Sequence, residues 1–272
     1  MIKKITYLLY KLVFFFLKII DLLLNKKFSY VFKDIILENS YENIIINKKK
    51  LTFFTPNTIT KYRLDTFFSK EPDTLRWIQG FKKNSIFFDI GANIGNYAIY
   101  ASTIKTSLKK VYAFEPSFLN TKVLSRNISI NKLQKKIIII QLPLTKEKNQ
   151  IQQMSETYFE EGGSFNSFEK SINGQISSKV TNKYSILGTN MEDLFQKKVL
   201  PIPNYIKIDV DGIENLILLG MGNYLKHKSI KSILIEAEKK YKFDKSLKIL
   251  NKSGFKLISK SGLNYIFNRS KK

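Results

Sequence analysis

The chain of 272 residues has no cysteine and a single histidine, His227. Disulfides are excluded, and no Cys/His set exists to hold structural zinc or an iron–sulfur centre. Without cysteine, nothing in the composition speaks to redox compartment. Arginine is scarce as well: only Arg63, Arg76, Arg126 and Arg269 stand among 46 basic residues, and alanine occurs five times. Lys, Ile, Asn, Phe and Tyr, whose codons are rich in A and T, take their place. The formal charge of +24 is therefore in part compositional drift. Arginine is the residue suited to bidentate phosphate and guanine contacts, so its scarcity disfavours a nucleic-acid partner. Attraction to anionic lipid or to an anionic substrate fits the same charge.

A long uninterrupted apolar run is also missing. Residues 5–24 come nearest, but Lys11, Lys18 and Asp21 interrupt them. Lys4, Lys11 and Lys18 recur every seven residues, which on a helix makes one narrow stripe beside Leu, Ile, Val and Phe14-Phe15-Phe16. The pattern predicts an amphipathic helix over residues 1–27 lying at a bilayer interface, with the protein cytoplasmic at the inner face of a membrane. A spanning helix would bury Lys11 at a cost of at least ~2.5 kcal/mol. A signal peptide would need a small-residue cleavage site, and Asp21-Leu-Leu-Leu-Asn-Lys-Lys27 offers none. Docking on the protein's own core is the remaining alternative.

What is present is apolar material for a core, 43% of residues, arranged in short runs. Residues 28–83 read as an N-terminal extension, irregular to about residue 60 with β-like runs at 44–46 and 51–54, then a short helix at 75–81. From residue 84 to the end, strands expected at 86–90, 111–114, 137–142, 205–210 and 230–237 alternate with helices. A helix near 244–252 and strands at 255–259 and 265–267 close the chain. Continuous apolar runs alternating with helices predict an α/β fold, a Rossmann-like doubly wound and mostly parallel sheet with an antiparallel C-terminal strand. Residues 145–190, polar and punctuated by Tyr158, Phe159, Phe165 and Phe168, read as an inserted hairpin or loop region on the substrate side.

The first strand runs into Asp89-Ile-Gly91-Ala-Asn93-Ile-Gly95. A strand, a glycine turn and a helix make the geometry of a dinucleotide site, but Asn93 stands where the second glycine of G-x-G-x-x-G would approach a pyrophosphate. A ligand without pyrophosphate does not require that glycine. Asp89 would repel a diphosphate and suits a cationic amino group. Glu115, in Phe114-Glu115-Pro116, lies 26 residues on at the end of the neighbouring strand, where a carboxylate accepts ribose hydroxyls. The fourth strand ends Ile206-Lys-Ile-Asp209-Val-Asp211-Gly-Ile-Glu214, and its carboxylates point to the crevice at the carboxyl end of the sheet. They can bind a cation, take a hydroxyl proton or orient a sulfonium, while capping of the following helix is the plainer role for Asp211.

Taken together with Asn127-Ile-Ser-Ile-Asn131 and Leu219-Gly220, these motifs resemble the FkbM family of methyltransferases over about residues 84–268. The resemblance implies a Rossmann-like fold and S-adenosylmethionine-dependent O-methylation, often in polyketide or polysaccharide pathways. It implies that Asp89, Gly91, Asn93 and Gly95 surround the methionine portion, that Glu115 holds the ribose, and that Asp209 and Asp211 stand at the methyl-transfer centre as catalytic candidates. Three departures matter: Asp211 stands where Glu is common, Ile213 where His or Ala is frequent, and Pro143-Leu144 where small residues are usual. No metal is assigned, although Glu236 or Glu238 are conceivable further ligands beside the aspartates. The expected function is O-methylation of a hydroxyl on a sugar, glycan or related metabolite. The rivals are an NAD-dependent oxidoreductase and a catalytically silent, membrane-associated binding protein. Methylation of base amino groups is disfavoured, because Asp209-Val-Asp-Gly212 replaces the Asn/Asp-Pro-Pro-aromatic run such enzymes carry.

Overall fold

A computed structural model of the chain describes residues 2–164, 166–168, 181–237 and 240–270. Phe165 and Glu238 lie outside them. The chain divides into two compact units, Met1–Glu42 and Asn43–Lys272.

In the first unit, α1 (Ile2–Leu24) is followed by α2 (Phe28–Glu38). The stretch expected to be irregular thus begins with a second helix. Asp21 ties the two together: its carboxylate accepts from the Ser29 amide at 3.1 Å and the Ser29 hydroxyl at 2.5 Å. Phe14 meets Phe32 edge-on, with ring centroids 6.5 Å apart. These bonds and the Lys18 charge hold the Asp21 carboxyl below its ordinary range.

The second unit opens with the hairpin β1 (Tyr41–Ile46) and β2 (Lys49–Phe54), then α3 (Thr58–Asp65), α4 (Phe67–Lys70) and α5 (Pro72–Gln79). There follow β3 (Ile86–Ile90), α6 (Asn96–Ile104), β4 (Lys110–Phe114), α7 (Phe118–Ile130) and β5 (Ile137–Ile140). Next come β6 (Gln150–Glu156), β7 (Ser167–Phe168), β8 (Asn182–Gly188), α8 (Met191–Gln196), β9 (Tyr205–Ile208) and α9 (Glu214–Leu219). The chain closes with β10 (Ser232–Glu236), α10 (Lys240–Lys252), β11 (Phe255–Ser261) and β12 (Asn264–Arg269).

Seven strands form one sheet in the order β11-β12-β10-β9-β3-β4-β5. The run from β10 to β5 is parallel, and β12 pairs antiparallel with both β10 and β11. Every residue of β3 is buried, because both faces of the sheet are covered. Alternation along β3 sends Phe87 into a core with α5, α6 and α7, and Phe88 into a second core with α8 and α9. The inserted region is a three-stranded antiparallel sheet, β7-β6-β8.

Residues 43–83 belong to the same compact unit as the sheet, for a physical reason. The side chain of Asn127 on α7 accepts from the Phe54 amide at 2.8 Å and donates to the Ile94 carbonyl at 2.9 Å. Asn131 accepts from the Thr52 amide at 3.0 Å and donates to its carbonyl at 2.7 Å. Two asparagines one helical turn apart thus supply the pairing that β2 would otherwise seek from another strand. Leu51, Phe53 and Phe54 are buried as a result.

Candidate active site

The chain order reverses beside β3: it runs outward through β4 and β5, then returns on the other side to β9. Ligands in open α/β sheets lie at such a switch point, outside the carboxyl ends of the strands. The turns after β3 and β9 abut there. Gly91 has φ +83°, and a Cβ on it would lie 1.8 Å from the Asp209 carbonyl oxygen, so only glycine lets the two strand ends approach. Asn93 is also left-handed, at φ 50°. Its side chain accepts from the Ile94 amide at 2.9 Å and donates to the Gly163 carbonyl at 2.8 Å.

Glu115 is buried at the end of β4. Its carboxylate accepts from the Asn93 amide at 2.7 Å and the Ser117 amide at 3.0 Å. Burial pushes its carboxyl up to about 7, against the pull of those donors and Asn120. Two bonded amides leave acceptor capacity on both oxygens, which suits a vicinal diol.

A second charged group lies at the end of β9. The Lys207 ammonium is buried, 2.6 Å from Asp209 Oδ2, and sits over the Tyr97 ring at 4.7 Å from its centroid. Burial works against the ammonium, but Asp209, Glu71 and Asp89 together raise its pKa above the ordinary lysine range. Asp209 shares a hydrogen bond with Glu236 from the end of β10. Although burial opposes its charge, Lys207 and that bond hold the Asp209 carboxyl well below the usual range. Glu236 moves the other way, pushed up to about 9 by the hydrogen bond to Asp209, by burial and by the neighbouring charge. Glu71, Asp209 and Glu236 each offer a carboxylate oxygen within 4.8 Å of the others, and Lys207 supplies the positive charge this cluster needs.

Gly91, Asn93, Glu115, Asp209, Asp211 and Glu236 line one cavity of about 480 Å³, within the size range of small-molecule sites. Its walls also include Ile59, Tyr62, Arg63 and Lys70 from α3 and α4, and Tyr158, Asn166 and Phe168 from the inserted region. A recess of about 60 Å³ beside it is bounded by Glu71, Asn96, Tyr97, Asp209 and the glycine turn. The segment around Gly162 is fastened across the site. Asn120 accepts from the Gly162 amide at 2.8 Å, Arg63 donates to the Gly162 carbonyl at 2.5 Å, and Asn57 donates to the Glu161 carbonyl at 3.0 Å.

Two residues singled out in the sequence stand back from this surface. Asp89 is fully buried, paired in register with Lys207, and is not among the cavity-lining residues. Burial pushes its carboxyl up to about 6 despite the Lys207 charge, and neither oxygen has a hydrogen-bond partner at normal distance. Gly95, at φ +94°, caps α6; a Cβ there would meet Leu124 at 2.5 Å, so glycine lets α6 pack closely on α7. Asp211 is exposed at φ 56° at the cavity mouth. Sequence reasoning missed Arg63, Lys70, Glu71 and Lys207. Lys207 alone carried a signal, as a lysine inside a strand otherwise apolar on both faces.

A family model described as the methyltransferase FkbM domain matches residues 89–257. The hexuronic acid methyltransferase AglP of Haloferax volcanii is 25% identical over 167 residues, 61% of this chain. The chain spans 62% of that relative's length. Among solved structures, a methyltransferase FkbM from Methylobacillus flagellatus superimposes with a TM-score of 0.48 at 14% identity, covering 69% of this chain and 44% of that one. M. capricolum TrmK, solved with S-adenosylhomocysteine, gives 0.39 at 14% identity over 72% of this chain and 68% of its own. The glycine cradle at Gly91 and the buried Glu115 acceptor fit an adenosyl ligand that has a ribose diol and no pyrophosphate. The chain belongs to the FkbM family of methyltransferases, and its cofactor is S-adenosylmethionine.

Proposed function

We propose that the protein transfers a methyl group to a hydroxyl oxygen of an acidic sugar, with Asp209 receiving the hydroxyl proton. The observation that carries this reading is a pair of cavity-lining carboxyl groups, Asp209 and Glu236, beside the buried Lys207 ammonium that lies 2.6 Å from Asp209. In this reading Glu115 takes the ribose hydroxyls, and Gly91 and Asn93 shape the turn beneath the ligand. Glu71, which borders the small recess, takes the ammonium of the methionine end in place of Asp89, which lines neither space.

S-adenosylmethionine supplies a sulfonium-activated methyl group, so positioning does most of the remaining work. As the new C–O bond forms, the hydroxyl proton becomes strongly acidic, and even a weakly basic carboxylate accepts it. Lys207 fixes the Asp209 anion in place, and the Glu236 hydrogen bond fixes its orientation. Asp211 at the mouth is the second candidate, placed to orient the acceptor.

The sugar assignment rests on the wall chemistry. Tyr158 and Phe168 offer flat apolar faces for a pyranose ring, and Asn166 offers hydrogen bonds. Arg63 and Lys70 offer cations to a carboxylate on the acceptor. The similarity to a hexuronic acid methyltransferase supports the same class.

The test is a methyl-transfer assay over uronic acids and neutral glycosides, with the bond formed identified by mass spectrometry and NMR. Asp209→Asn should lower turnover roughly 10²–10⁴-fold while leaving S-adenosylhomocysteine affinity nearly unchanged. Glu236→Gln keeps the hydrogen bond without the ionisation. Wild-type turnover should fall as pH rises through about 9, and the variant should lose that alkaline limb. Full turnover in both Asp209→Asn and Asp211→Asn would refute the proton-acceptor role.

A further inference from the structure

The first unit turns its apolar side chains outward. No residue of α1 is buried, and Ser29 is the only buried residue of α2. On α1 an exposed ridge follows i, i+4, i+3 spacing through Ile5, Leu9, Leu12, Phe16, Ile19 and Leu23. On α2, Phe28, Val31, Phe32 and Ile35 form a second exposed ridge, with Asp34 and Glu38 along its edge. Water does not tolerate so large a continuous apolar surface without a partner.

The charge pattern says what that partner is. Residues 1–42 carry seven lysines against four acidic side chains, within a chain of net charge +24. Three of these lysines lie over aromatic rings: Lys11 over Tyr7 at 4.9 Å, Lys18 over Tyr30 at 5.2 Å and Lys33 over Phe14 at 4.9 Å. Tyrosine and lysine side by side at the border of an apolar face are the chemistry of a headgroup layer, where the ring end is wet and the ammonium meets phosphate. No helix among the described residues is long and apolar enough to cross a membrane. The hairpin is also closed by its own polar clasp, Asp21 with Ser29, so its shape does not depend on a protein partner.

We infer that α1 and α2 form a helical hairpin that inserts both apolar ridges into the interface of an anionic lipid bilayer, with the lysines at headgroup level. The site extends to residue 38, beyond the single helix suggested by the lysine stripe. Both apolar area and attraction to anionic lipid contribute to such binding. The inference is independent of the acceptor assigned above.

The full chain should co-sediment with vesicles of phosphatidylcholine and phosphatidylglycerol, and bind pure phosphatidylcholine about ten-fold less. Two variants separate the contributions, both at exposed positions. Leu12→Asp with Phe16→Asp removes α1's apolar ridge, and Val31→Asp with Ile35→Asp removes that of α2. Each should weaken vesicle binding about ten-fold or more. Unchanged binding in the first variant would overturn the inference as a whole, and unchanged binding in the second would overturn the hairpin. Light scattering without vesicles provides the opposing outcome: a stable dimer that the same substitutions dissociate, with no binding to vesicles, would make a second copy of the chain the occupant.

Discussion

Helix α1 and strands β3 and β9 are built from the same few side chains, Phe, Ile and Leu with an occasional Lys or Asp, yet they end in opposite environments. In β3 and β9 every residue is buried, Lys207 included, while α1 buries none. Apolar content does not decide between these fates; the treatment of charge does. Lys207 enters the interior because Asp209, Glu71 and Asp89 neutralise it there, at the end of a strand covered on both faces. Of Lys4, Lys11 and Lys18, Lys18 forms an ion pair among the described residues, 3.8 Å from Asp21, which is itself committed to Ser29. A chain can bury a lysine where it has assembled carboxylates and must keep one at a surface where it has not.

The contrast can be broken from either side. The largest effect should follow Phe88→Ala, which empties a fully buried site between β3 and α8 and should cost about 3–5 kcal/mol, read from denaturant unfolding. The smallest should follow Phe16→Ala, a side chain 55% exposed, which should change unfolding free energy by less than about 0.5 kcal/mol. A large loss from Phe16→Ala would mean that α1 packs as core, and the contrast drawn above would fail.

The same contrast explains what was legible in the sequence. Strands buried on both faces announce themselves as short apolar runs, so β3, β4, β9 and β10 were located to within about two residues, and with them the turns bearing Gly91, Asn93, Glu115 and Asp209. The helix over residues 5–24 was legible for the same reason, its lysine spacing being regular. Residues 43–83 were legible only in part: the β-like runs at 44–46 and 51–54 lie within β1 and β2 and the short helix at 75–81 overlaps α5, whereas α3, α4 and the way the segment joins the sheet were not. Their strands are short, and they are held by Asn127 and Asn131, which lie 73–79 positions away. No local period reports a contact of that kind. Arg63 and Lys70 reach the cavity through these elements, and Glu71 the recess beside it, so the site's cationic wall stayed hidden with them. The position of Asp89 was legible, but its burial was not. It marks the end of a strand and reads as a ligand, and the structure has it buried in register with Lys207, outside the residues that line the cavity. The inserted region read as a hairpin or loop because Gln150–Gln153 carries so little apolar signal; its strands β6 and β8 pair in full register all the same.

The central claim is that the crevice between β3, β4 and β9 is a cofactor site held at its ribose end by Glu115. The direct measurement is calorimetric titration of the full chain, in mild detergent, with S-adenosylhomocysteine, beside the Glu115→Ala variant. Micromolar binding that weakens roughly 10–100-fold in the variant, as loss of a charged hydrogen-bond acceptor should produce, is the predicted result. Failure of the folded wild-type chain to bind, or equal binding by the variant, would contradict it.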